Sequence, residues 1–144
     1  MEKVKEWLGE GVSEYEKDGV LVLPIGEAVV TVRETTWAGR KLIEVAAPLA
    51  VDVKPSPSLL KLLMELNGVA SLGKFVLLEE GVDGKPTVLF AYSMYEGCGR
   101  EGFELALATV IAMAERYGDE IVELGGGRSF KEYISHGGEE HPEQ

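Results

Sequence analysis

Three apolar runs, separated by two-residue turn signals, constrain this chain more than any other feature. Val20 to Ile25 reads VLVLPI, and Gly26 and Glu27 interrupt it. In the next run, AVVTVRETTW, Ala28, Val30 and Val32 alternate with Val29, Thr31 and Arg33, the period of a half-buried strand. Ala38-Gly39 makes a hairpin turn and RKLIEVAAPLAVDV returns as a third strand. Pro48 ends or bulges that strand, because proline cannot donate to a ladder. Strands joined by turns this short are antiparallel.

Helical spacing brackets them. Val4, Trp7, Leu8, Val12 and Tyr15 mark an amphipathic first helix, loosened near Gly9 and Gly11 and ended by Lys17-Asp18-Gly19. Ser56 or Ser58 caps a second helix with Pro57 in its first turn. It runs to Leu66, where Asn67-Gly68 supplies a left-handed stop. GKFVLLEE and KPTVLFAYSMY, turned about Asp83-Gly84, make two more strands. From Arg100 a last long helix carries the stripe Phe103, Leu107, Val110, Ile111, Ala114, Tyr117, Ile121, up to the glycines at 125 to 127. The order is α-β-β-β-α-β-β-α, an α+β class domain with an antiparallel meander sheet and flanking helices. Residues 1–130 are expected to form this single domain, and 131–144 a polar, flexible C-terminal tail.

Bulk properties narrow the function classes. With 25 acidic and 14 basic residues the net charge is −11, which repels phosphate backbones and anionic lipid unless a local basic patch intervenes. The basic residues are scattered in sequence and only Arg40-Lys41 adjoin, so no nucleic acid or membrane partner is expected. The single cysteine, Cys98, excludes an intramolecular disulfide and a multi-cysteine metal site. MEKVKEWLGEGV lacks the apolar core of a signal peptide, and no apolar run approaches the roughly 18 residues of a membrane span. A cytoplasmic protein is expected.

The sharpest formal motif is GCGREG, where Gly97, Gly99 and Gly102 spell G-x-G-x-x-G and Glu123 lies about twenty residues on. As a cofactor-binding loop it would seat a pyrophosphate on a helix N-terminus. Against that, the preceding strand pairs with its hairpin neighbour instead of forming a parallel βαβ unit. Too little chain also follows Glu123 for the rest of a doubly wound sheet. A glycine-rich turn is the simpler account, and a small nucleotide-binding protein the alternative. GGGR at 125 to 128 follows a helix and lacks the lysine-serine pair of a phosphate loop, so it is a helix stop. Cys98 lies near Arg100 but has no histidine to activate it. His136 and His141, in HGGEEH, lie in the tail and offer no rigid metal site. No catalytic residues, metal or cofactor are assigned.

The helix from Leu59 to Leu66 carries two apolar stripes. Leu59, Leu62, Leu63 and Leu66 suit the core; Leu60 and Met64 form a second stripe about 100° around. Either another chain or the first or last helix covers that second stripe. With its Leu66-Asn67 ending, small-residue linker, and Gly73-Lys74-Phe75 opening a strand, the chain resembles the YbjN-domain family, which has the type III secretion chaperone-like fold. The resemblance extends over the hairpin to VLFAYSM and the long final helix, roughly Met1 to Phe130. It implies a small acidic cytoplasmic protein, often a homodimer, without catalytic residues or cofactor, while the secretion chaperones of this fold bind extended client segments. The expected function is thus a non-enzymatic protein-binding module, a homodimer with a protein client, using Leu60 and Met64 as partner or dimer contacts. The edge strands of the sheet offer a second place for a partner strand. A regulatory or structural subunit is the remaining alternative.

Overall fold

The computed structural model describes residues 1–9 and 11–135. Helix α1 (Glu2–Leu8) stops at Gly9, and Gly11 turns left-handed before a single 3-10 turn at Val12–Tyr15, so the first helix is broken where its glycines fall. Asp18 and Gly19, both at positive φ, then reverse the chain between strands β1 (Glu16–Lys17) and β2 (Val20–Ile25). Gly26-Glu27 joins β2 to β3 (Ala28–Trp37), with Ile25 facing Ala28. Ala38 and Gly39, at φ 54° and 76°, join β3 to β4 (Arg40–Val51). Two consecutive positive φ values follow the strands' own twist, which is why so short a turn closes the hairpin. The ladder slips between Pro48 and Ala50, a bulge at the proline.

Helix α2 (Pro57–Val69) starts where Ser56 Oγ accepts a hydrogen bond from Leu59 N at 3.1 Å. Its end differs from expectation. The helix runs through Asn67 and Gly68, neither at positive φ, and closes on Ala70 in extended conformation. Strands β5 (Lys74–Leu78) and β6 (Thr87–Tyr95), helix α3 (Gly99–Gly125), β7 (Arg128–Ser129) and α4 (Phe130–Ser135) complete the described chain.

All strand pairs are antiparallel, in the order β1-β2-β3-β4-β6-β5 with β7 beside the end of β4. The meander therefore holds from β1 to β4 and then breaks, because the chain passes through α2 and returns at the far edge as β5, leaving β6 to fill the gap. Leu21, Val32 and Val45 share one face and are fully buried. On that face α3 packs across β3, β4 and β6, bringing Phe103, Val110 and Ile121 into one core with Ile43, Phe90 and Leu59.

Packing continues beyond residue 130. Ser129 Oγ accepts from Glu132 N to start α4, Tyr133 is buried, and its hydroxyl donates to the Asp83 carboxylate in the β5–β6 turn. That hydrogen bond, with burial, holds the Tyr133 proton and pushes its pKa above the ordinary 10. Lys131 Nζ meets Glu27 at 2.8 Å and keeps that carboxyl below its usual range. Residues 136–144, the remainder of the expected tail and the whole of HGGEEH, lie outside the described residues.

Candidate protein interface

On α2, Leu59, Leu63 and Leu66 are buried and Leu62 is half-buried against the core, as the inner stripe requires. The outward stripe is bare: Leu60 is 47% exposed and Met64 70%. Neither α1 nor α4 covers it. Two apolar side chains left in water on one helix surface make burial by a partner favourable there.

The sheet edge beside α2 is less open than its topology suggests. Asn67 Nδ2 donates to Phe75 O at 3.0 Å, and Phe75 N donates to Asn67 Oδ1 at 2.7 Å. One amide side chain thus makes both bonds that a neighbouring strand would make at this residue. The N–H and C=O of a strand residue point to the same side, so those of Phe75 face away from β6, toward the open edge. In sequence Asn67 has the look of a helix stop, and this role is hidden; an Asn placed a few residues before a strand is the one available signal. Gly73 is part of the same device. At φ 79°, its position would put a Cβ 2.6 Å from the Phe90 ring and 2.8 Å from Ala91 O. The opposite edge is blunted too: β1 pairs only with Val20 and Leu21, and Pro24 on β2 has no N–H to offer. The expectation that edge strands accept a partner strand therefore meets an obstacle at both edges.

The glycine motif does not form a dinucleotide loop. β6, which precedes it, is antiparallel to both of its neighbours, so no parallel βαβ crevice exists for a pyrophosphate. Gly97 is in a 3-10 turn and Gly99, at φ 77°, opens α3. Gly102 is already helical, and a Cβ there would fall 2.7 Å from that of Cys98. Glu123 lies on α3 and not after a second strand. Gly126, at φ 70°, caps α3, so GGGR is a helix stop. Cys98 is exposed, with no hydrogen bond from its side chain to the helix start.

A half-open cleft of about 400 Å³ lies between the β2–β3 turn, α3 and α4, with Glu27, Glu115, Asp119 and Lys131 on its rim and Pro48 and Leu49 on its floor. Among the described residues no group of three or more His, Cys, Asp or Glu could hold a metal ion, and no helix is long and apolar enough to cross a membrane.

The sequence model of one protein family, described as T3SS (YopN, CesT) and YbjN peptide-binding chaperone 1, matches residues 1–133. This chain belongs to that family. The resemblance carried by Leu66-Asn67 and Gly73-Lys74-Phe75 is thereby borne out. A protein of Aquifex aeolicus (strain VF5), described as uncharacterized, is 31% identical over 93 residues, which are 64% of this chain and 37% of the relative's length. The crystal structure of YbjN from E. coli is 20% identical, with a TM-score of 0.48, over 94% of this chain and 92% of that one.

Proposed function

We propose that the chain is a non-enzymatic, cytoplasmic protein-binding module that works as a homodimer, with Leu60 and Met64 of α2 in the dimer contact. The observation that carries the dimer is the outward α2 stripe, in which two apolar side chains one helical turn apart are both exposed. The peptide-binding description of the family supports a protein client.

Native mass spectrometry of the purified chain tests the dimer. The expected result is twice the chain mass with nothing else attached, and a single-chain mass for Leu60→Glu with the melting temperature unchanged. Burying a leucine is worth about 1.5–3 kcal/mol; recovering half of that in each protomer amounts to about one to two orders of magnitude in the dimer dissociation constant. A single-chain mass for the unmodified protein at micromolar concentration would refute the dimer. A Leu60→Glu chain that no longer folds would make that residue core.

A further inference from the structure

If both edges are blunted, a client has to use a face. The core and helices α1 to α3 occupy one face of the sheet, and ladder partners define the other unambiguously, because residues opposite one another point the same way. One row across it is Val22–Thr31–Ala46–Ala91–Lys74. Next to it, Arg33 pairs with Glu44, which faces Ser93. Beyond these, Thr35–Leu42–Tyr95 and Trp37–Arg40 form the end of the face.

Its charges differ from those of the molecule as a whole. The strand positions on this face carry Lys17, Arg33, Arg40, Lys74 and, at the far end over the Tyr133 ring, Arg128, but one carboxylate, Glu44, which Arg33 already engages at 2.7 Å. The chain as a whole has a net charge of −11. The acidic turns at Glu27 and Glu79-Glu80 lie at the opposite end, where β3 and β6 begin; among the described residues Glu96 borders Arg40 and Tyr95. Between the cations the surface is apolar and half-exposed at Val22, Leu42, Val76 and Leu89, and Trp37 and Tyr95 stand out into solvent at 68% and 49%. These cations are far apart in sequence and only the register collects them. Arg40 and Lys41, the one adjacent pair, point to opposite faces.

We infer that this face, at its Trp37–Tyr95 end, is the client site, and that the client segment is an acidic peptide with interspersed apolar residues. The inference rests on the protein-binding reading above and adds the place and the chemistry. Carboxylates would pair with Arg40 and Lys74, and apolar side chains would cover the half-exposed Leu42 and Leu89 and the two aromatic rings. A polyanion longer than the face, such as a nucleic acid, would run onto the carboxylate-rich flanks and be repelled.

The test uses the full chain, labelled with ¹⁵N, and two fluorescein-tagged peptides of about a dozen residues. Both share their apolar positions; one has Asp and Glu at the others, its counterpart Lys. Anisotropy is expected to give the acidic peptide at least about tenfold tighter binding, lost again by about tenfold in Arg40→Glu/Lys74→Glu and less in Arg40→Gln/Lys74→Gln. The Trp37 indole resonance should move on binding, whereas that of Trp7, packed on Phe103, should stay. Equal or tighter binding of the basic peptide overturns the inference while protein binding stands, and tighter binding of a thymidine oligonucleotide overturns both. Binding of neither peptide removes the inference, and the protein-binding reading falls with it if a pool of random peptides is also not retained.

Discussion

Replacing Asn67 by Ala removes both hydrogen bonds that seal the β5 edge at Phe75, and the cost follows from their setting. The Phe75 side chain is buried but Asn67 is exposed, so water can reach the freed N–H and C=O. Each lost bond is then worth about 1 kcal/mol, the lower part of the range for an unsatisfied group. The total of about 2 kcal/mol should lower Tm by about 6–8 °C in a domain of this size. Asn67→Asp keeps the acceptor for Phe75 N but sets a carboxylate oxygen against Phe75 O, so it should lose at least half as much. Thermal unfolding by circular dichroism gives the ranking, and amide exchange gives the location: Phe75 N–H should lose protection before the amides of β4. Opening the edge should also raise concentration-dependent association, since an unpaired strand recruits another. A Tm for Asn67→Ala within about 2 °C of the native value, with Phe75 still protected, would show that the helix packing and not this amide holds the edge.

Gly73→Ala should cost about 3 kcal/mol or more, because the added Cβ meets the Phe90 ring and Ala91 O at positive φ. Gly84→Ala, equally left-handed but with nothing within 4 Å, should cost only about 1–2 kcal/mol; equal losses in urea melts would refute the steric account. For Tyr133→Phe a loss of about 1 kcal/mol is expected near neutral pH. Because the Tyr133 pKa is raised from 10 in the folded chain, the native state holds that proton longer than the unfolded one. The stability it confers is present below pH 10 and lost as pH rises through the folded value, so the stability gap between the native protein and the variant should narrow there. A constant gap in denaturant titrations from pH 8 to 11 would dismiss the Asp83 bond as its cause. Neither ATP nor NAD should move Tm in differential scanning fluorimetry; a shift that Gly99→Val abolishes would revive the nucleotide reading.

Period and turn chemistry are enough to read the α+β class, the hairpins at Gly26-Glu27 and Ala38-Gly39, the proline bulge and the inner stripe of α2. Each depends on neighbours within a few residues, where backbone sterics and side-chain alternation act directly. Asn67 shows the limit of such reading. An Asn-Gly pair after a helical run has the local chemistry of a stop, yet its side chain finds two better bonds in β5, and the backbone stays helical through it. The same holds for β6, whose insertion between β4 and β5 no turn signal announces, and for Arg128-Ser129, too short to look like a strand yet drawn into the ladder by the end of β4.

Composition and pattern by themselves determined the class of fold, the order of its longer elements and the presence of a second apolar stripe at Leu60 and Met64. Only the tertiary structure decided that this stripe is bare, that both sheet edges are blunted, and that Lys17, Arg33, Arg40 and Lys74 share a face in an acidic molecule. The reason is physical: propensity and periodicity are local, whereas exposure, edge closure and a charge field depend on which distant strands the register sets side by side.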